Sequence, residues 1–126
     1  MTTNAHDAAA DDFCANDLLA VTADDAGMRE GLRDILVEEA PRLLTRMDAG
    51  LAAASAVLVA DAAHAVKSLV ATVGGRRAFA LADALERRAR QGDTSDARQG
   101  ADALAASIGR LTADLTAFIE RERRTC

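Results

Sequence analysis

One histidine of the chain lies where its side chain is available for chemistry, with a lysine and a serine as near neighbours. On a helical wheel of about 100° per residue, His64 lies opposite an apolar side. That apolar side consists of Val59, Ala62, Ala63, Val66, Leu69, Val70 and Val73. Lys67 follows His64 by three residues and Ser68 by four, so both share its face. The pattern predicts a helix held in a core by its apolar side, with the imidazole in solvent.

A histidine in this setting suits phosphoryl chemistry. A neutral imidazole is a nucleophile near pH 7, because an unperturbed imidazole has a pKa of about 6.5. It can attack phosphorus and form a phosphohistidine, which is a labile covalent intermediate. A cation one turn away would offset the charge of that group, and Lys67 is the one lysine in the chain. We place Ala60 and Ala71 on the same face, where their small side chains leave the ring open. The other histidine, His6, lies in a polar N-terminal stretch that gives it no fixed position.

The elements that position His64 are predicted to be helices. Apolar residues in four long segments repeat every three or four positions, which is the amphipathic helical pattern. We place these helices at residues 24–53, 56–72, 76–91 and 95–123, after a short helix at 13–20. The connections are short and strand-like alternation is rare. The predicted fold is therefore all-α, an antiparallel four-helix bundle with a short extra N-terminal helix.

Residues with capping or breaking roles support these boundaries. Ser55 is a plausible N-cap for the helix that carries His64, and Gly74-Gly75 is expected to end that helix. Thr22 is predicted to be the N-cap of the helix at residues 24–53, with Asp25 in the first turn of that helix. Pro41 interrupts the second helix, but the apolar period continues beyond it, so we expect a bend rather than an end.

The stretch around the histidine is similar to a known motif. His64-Ala65-Val66-Lys67-Ser68, followed by Gly74-Gly75, resembles the phosphoacceptor helix of histidine-containing phosphotransfer (HPt) domains. The pattern of that family is roughly His-x-Leu-Lys-Gly, with a Gly-Ala pair after it. The similarity extends without gaps over residues 38–93. Val66 stands where the family usually has leucine, and Ser68 where it usually has glycine. The serine either narrows the docking surface or donates a hydrogen bond to the phosphoryl group.

The resemblance implies a phosphorelay carrier. His64 would be the phosphoacceptor, with the phosphoryl group on the solvent-facing Nε2, and Lys67 would neighbour the phosphate. Ser68 is a second candidate for such a neighbour. The expected partners are the receiver domain of a response regulator and that of a hybrid sensor histidine kinase, and the receiver would hold any Mg²⁺. The group would pass between the aspartates of two receivers.

Composition limits the other function classes. A chain of 126 residues with net charge −5 is not expected to bind nucleic acid or an anionic membrane. No apolar run is long enough to cross a bilayer, and we expect a cytoplasmic monomer.

No glycine-rich phosphate loop follows a strand, so neither a nucleotide site nor kinase activity is predicted. Cys14 and Cys126 have no motif spacing and are interpreted as free thiols; we expect no metal and no cofactor.

The domain organisation is predicted to be simple. Residues 1–12 are polar, acidic and alanine-rich, which is typical of a flexible tail. Residues 13–126 form the HPt-like domain. Within it, the fourth predicted segment carries a basic stretch that is either a solvated face or a rim that steers an acidic receiver towards His64. The arginines of this stretch are Arg76, Arg77, Arg87, Arg88 and Arg90.

A rival function belongs to a different class. A non-catalytic helical adaptor would bind a signalling partner through the same face, with His64 unmodified. Ser68 in the usual glycine position is the residue that favours this alternative. Phe79 fits either function, because it lies one step off the apolar stripe of its helix and would pack at the core edge or contact a partner.

Overall fold

A computed structural model describes residues 11–125. It contains five helices and, in this part of the chain, no strand. They are α1 (Ala15–Thr22), α2 (Ala26–Ala52), α3 (Ala56–Ala71), α4 (Arg76–Arg90) and α5 (Ala97–Thr125). Each predicted segment corresponds to one of these helices, and no end differs by more than two residues. The prediction of an all-α bundle with a short extra N-terminal helix is confirmed.

The four long helices surround one core. Helix α2 packs against α3 and α5, and α4 packs against the same two helices, while α1 lies on α2. Two ion pairs give the relative direction of α2 and α5. Arg98 near the start of α5 lies 3.0 Å from Asp48 near the end of α2. Arg123 near the end of α5 lies 3.9 Å from Glu30 near the start of α2, so these two helices run in opposite directions.

Helix α3 buries the side that the helical wheel predicts. Val59, Val66 and Val70 have no exposed surface. Burial of this apolar area holds the helix in place, since a fully buried valine contributes about 1.5–3 kcal/mol. Ala60 departs from the prediction, because it is completely buried rather than open beside His64. The reason is that α3 packs against both α2 and α4, which together cover a wide arc of its surface. Ala71 is exposed as predicted.

The N-cap of α2 is Asp25, so the assignment of Thr22 to that role is wrong. The carboxylate of Asp25 accepts a hydrogen bond of 2.9 Å from the backbone N–H of Met28. Thr22 is instead the last residue of α1 and is buried, and its hydroxyl donates to the carbonyl of Leu18 at 3.0 Å. Helix α1 extends two residues further than predicted, which places the threonine inside a helix where its hydroxyl reaches the preceding turn.

Both ends of α3 follow the predicted chemistry. The Ser55 hydroxyl caps the helix by accepting a 3.2 Å hydrogen bond from the N–H of Leu58. After the helix ends, Gly74 adopts a left-handed backbone with φ of 76°. A Cβ at this position would lie 2.3 Å from the carbonyl oxygen of Cys14, so only glycine fits. Helix α2 continues through Pro41 without a break.

The segment before α1 is attached to the bundle. The N–H of Cys14 donates to the Gly74 carbonyl at 2.8 Å. The carboxylate of Asp12 accepts hydrogen bonds from Ser107 at 2.9 Å and from Arg110 at 2.7 Å, both on α5. Asp12 therefore has a fixed position, although the sequence assigned it to the tail. Residues 1–10, including His6, lie outside the described residues, so the flexible tail stays a prediction, as does the free thiol of Cys126. Cys14 is a free thiol.

Candidate functional site

His64 projects from α3 towards solvent, and one of its ring nitrogens is engaged. Its side chain is 62% exposed, and Nδ1 lies 3.1 Å from Oε2 of Glu86 on α4. An ionised carboxylate only accepts hydrogen bonds, so a neutral imidazole in this contact carries its proton on Nδ1. Nε2 then keeps its lone pair, and among residues 11–125 it has no hydrogen-bond partner. The arrangement presents an exposed nucleophilic nitrogen.

Glu86 contacts three basic side chains of the site, His64, Lys67 and Arg90. Its side chain is only 13% exposed, and Oε2 also accepts a hydrogen bond from Nη2 of Arg90 at 3.2 Å. Nζ of Lys67 lies 3.1 Å from Oε1, as an ion pair whose angle does not give Oε1 a regular hydrogen bond. Burial alone would raise the pKa of Glu86, but the contacts with Lys67 and Arg90 outweigh it and lower that pKa. Glu86 is therefore an anion at neutral pH and faces three donors.

Lys67 is held against α4 rather than standing free beside the imidazole. Its ammonium donates to Asp83 at 2.9 Å in addition to the contact with Glu86. It also lies 5.4 Å from the ring centroid of Phe79, within range of a cation–π contact. The contacts with Asp83 and then Glu86 raise the pKa of Lys67. The lysine stays positively charged, and its charge lies next to carboxylates of the same site.

Ser68 lies on the exposed face one turn after His64. Its hydroxyl donates to the backbone carbonyl of His64 at 3.4 Å, which is a long hydrogen bond to the preceding turn. The hydroxyl is therefore turned towards the helix backbone and away from the imidazole tip. Phe79 is 40% exposed, so it supplies apolar surface at the site besides its contact with Lys67.

Two of the five arginines in the predicted basic stretch pair with acidic side chains near His64. Arg87 pairs with Asp83 at 2.8 Å, and Arg90 pairs with both Glu86 and Asp61, each at 3.2 Å. Arg76 and Arg88 are engaged elsewhere. The first forms a bidentate pair with Asp17 on α1, and the second pairs with Asp93 and Asp96 in the connection to α5. These four side chains are thus divided among three places, while the backbone N–H of Arg77 donates to the carbonyl of Asp11 at 2.9 Å.

Sequence reasoning missed Glu86 and Asp83, although a signal was present. The core stripe of α4 is Ala78, Ala82, Leu85 and Ala89. The residue directly after each of these four lies at the edge of that stripe, next to α3. These edge residues are Phe79, Asp83, Glu86 and Arg90. Recognition of this second stripe would have predicted that Asp83 and Glu86 lie next to the face of α3 that carries His64 and Lys67.

The described residues meet the requirements of neither a metal site nor a membrane-spanning helix. No group of three or more histidine, cysteine or acidic side chains is arranged to hold a metal ion there. Nor does any of its helices combine the length and the apolar character needed to cross a membrane.

Comparison with protein-family models identifies a family for this chain. The model of the Hpt domain family matches residues 31–118, which include α3, α4 and every residue of the site. No curated protein and no solved structure matches the chain. Hpt domains are helical bundles that act as phosphotransfer carriers and interact with receiver domains in phosphorelays. With the matched segment spanning more than half its length, the chain belongs to the Hpt domain family.

Proposed function

We propose that this protein carries a phosphoryl group on Nε2 of His64 between the aspartates of two receiver domains, one from a hybrid sensor histidine kinase and one from a response regulator. One observation carries the proposal. In the neutral imidazole, the contact between Nδ1 and Glu86 places the ring proton on Nδ1, so Nε2 keeps its lone pair on a side chain that is 62% exposed. The family membership supports the reaction class, and the geometry of the ring supports Nε2 as the acceptor atom.

The transfer step can be written from these atoms. The Nε2 lone pair attacks the phosphorus of an aspartyl phosphate, an N–P bond forms, and the P–O bond to the aspartate breaks. The aspartate leaves as a carboxylate with the bonding electrons. The ring becomes a phosphoimidazolium whose remaining proton stays on Nδ1, where the carboxylate of Glu86 stabilises the new positive charge. Glu86 touches neither the phosphorus nor the leaving group, so it is a positioning residue.

The cations near the ring would offset the charge of the phosphoryl group. Lys67 is one turn from His64, and its contacts are to Asp83 and Glu86 in the unphosphorylated chain. We propose that Lys67 contributes its charge from this position, at the edge of the site. Ser68 is assigned no bond to the phosphate, because its hydroxyl already donates to the backbone.

The direct test is transfer from a phosphorylated receiver domain to the full chain. The label on the chain should be labile to acid and stable to base, as a phosphoramidate bond on histidine is. Label of the opposite stability would place the group on another residue type and contradict the proposal. A well-folded chain that takes no label from a panel of receiver donors would support the adaptor function instead, with His64 as an unmodified contact residue.

Replacing Glu86 with glutamine is expected to slow the transfer step roughly tenfold, because a charge-assisted hydrogen bond to Nδ1 becomes a neutral one. The loss should appear in kcat at saturating receiver, with little change in KM. The ¹⁵N spectrum of the His64 ring should change from one dominant tautomer to a mixture. Asp83→Asn is the matched control, since Asp83 pairs with Lys67 and Arg87 but not with the ring. Equal kcat losses in both variants would contradict the role of Glu86.

Replacing Ser68 with glycine, the usual residue of the family, is expected to maintain the transfer rate or raise it up to about threefold. The reason is that the serine hydroxyl serves the backbone of α3 while its side chain adds bulk beside the imidazole. The measurement is the rate of phosphotransfer from one receiver domain to each form. A loss of tenfold or more with unchanged helicity would mean that the hydroxyl takes part in transfer.

A further inference from the structure

Arg90 and His64 compete for the same oxygen atom. Oε2 of Glu86 lies 3.1 Å from Nδ1 of His64 and 3.2 Å from Nη2 of Arg90. One carboxylate oxygen has two lone pairs and accepts both donors, but its charge is then shared between them. The imidazole therefore receives only part of the stabilisation that this oxygen supplies to a single donor.

Arg90 is also the member of this group that a partner can reach. Its side chain is 48% exposed, whereas that of Glu86 is 13% exposed. Its second nitrogen, Nη1, is held by Asp61 at 3.2 Å, and the Asp61 side chain is itself half exposed. The guanidinium is therefore more accessible to an incoming acidic surface than the carboxylate of Glu86. Exposed ion pairs of this kind are weak, so exchanging one carboxylate for another has a small cost.

We propose that Arg90 is a docking-sensitive restraint on His64: an acidic partner surface draws the guanidinium away from Glu86 and leaves Oε2 to the imidazole alone. This inference rests on the proposed function, since it concerns regulation of the same site. The undocked chain then holds its nucleophile in a partly restrained state. Docking of the partner strengthens the bond between Nδ1–H and Glu86 and raises the electron density at Nε2.

The chain contains a matched control for this idea. Arg87 is on the same helix, and it also pairs with an acid of the site four residues earlier. Its acid is Asp83, which does not touch the imidazole. Arg87→Gln and Arg90→Gln therefore remove the same charge from neighbouring places, and only the second releases Glu86. The comparison therefore removes the effect of losing one positive charge, and the remaining differences are the release of Glu86 and of Asp61 by Arg90→Gln.

The first experiment uses a small phosphodonor, phosphoramidate, with the full chain and no partner. Arg90→Gln should be labelled on His64 roughly two- to fivefold faster than Arg87→Gln, the range expected for a modest gain in one hydrogen bond. With a phosphorylated receiver domain as donor at saturating concentration, the two variants should reach the same kcat, because docking has already displaced Arg90 in the wild type. Labelling by phosphoramidate that is no faster in Arg90→Gln would overturn the proposal. An advantage that persists at saturating receiver would also overturn it.

A second measurement separates this inference from the proposed function. In ¹⁵N spectra of the unphosphorylated chain, Arg90→Gln should shift the His64 ring further towards the tautomer protonated on Nδ1, whereas Arg87→Gln should not. This result needs no phosphoryl transfer, so it stands even if no receiver domain ever labels the chain. Identical ring spectra in the two variants would show that Arg90 does not restrain Glu86.

Discussion

Replacing His64 with glutamine is expected to abolish phosphoryl labelling by any receiver domain while the fold stays intact. The amide of glutamine has no nucleophilic lone pair, so the covalent step has no acceptor atom. The side chain is exposed and its described contact is to Glu86, so the free energy of unfolding should change by less than about 1 kcal/mol. The measurement is transfer of ³²P from a phosphorylated receiver, together with the helical circular dichroism signal.

The matched control is His6→Gln, which removes the other histidine of the chain and should keep the full label. The two variants together assign the label to one residue without relying on its chemical stability alone. Residual label in His64→Gln that disappears when His6 is also replaced would move the acceptor to the N-terminal segment. A variant that is unlabelled because it is unfolded would be recognised from its circular dichroism signal.

Replacing Val66 with aspartate is expected to unfold the domain. Val66 has no exposed surface and lies on the core side of α3, two residues after His64. The substitution removes apolar burial and places a carboxylate where it has no partner, at a cost of several kcal/mol. That cost is comparable with the whole stability of a small domain, roughly 5–15 kcal/mol. Loss of the helical signal at 25 °C, or a large fall in the urea midpoint, would show the effect.

Val57→Asp is the control for this prediction, because it makes the same change on the same helix. Val57 is 66% exposed, so the charge stays in water and the domain should remain folded. A Val66→Asp variant with the helicity and urea midpoint of Val57→Asp would mean that the buried side of α3 has been assigned wrongly. The pair of variants therefore tests the packing of the helix that carries the proposed acceptor.

The fold was predictable because the spacing of apolar residues along a helix indicates which side of that helix is buried. The apolar side of α3, the cap at Ser55 and the end at the glycine pair all follow from side-chain type and spacing, which are local properties. One error was local and one came from a tertiary contact. Thr22 became the end of α1 because that helix continued two residues further than predicted, and Ala60 became buried because two helices cover α3. The helices that cover Ala60 cannot be identified from the residues on either side of it.

The candidate site was predictable only in the part that one helix carries. His64, Lys67 and Ser68 are within four residues, so their shared face follows from helix geometry. Glu86 is 22 residues from His64, and its contact depends on how α4 is rotated against α3. Glu86 was overlooked because the arginines beside it were interpreted as a basic surface, and this interpretation did not predict a contact between a carboxylate and His64. Lys67 was grouped with the histidine from the sequence, but its two carboxylate partners, Asp83 and Glu86, came from the structure.

The attachment of the N-terminal segment bears on where this domain can be cut. The family is recognised from residues 31–118, but Leu18 on α1 has no exposed surface and belongs to the core. Asp12 and Cys14 fasten the chain to α5 and to the turn that ends α3. A fragment trimmed to residues 31–118 would lose α1, the contacts of Asp12 and Cys14, and the packing of Leu18 in the core. The smallest piece suitable for expression therefore begins at or before Asp11, whose carbonyl accepts a hydrogen bond of 2.9 Å from the N–H of Arg77, upstream of the segment that identifies the family.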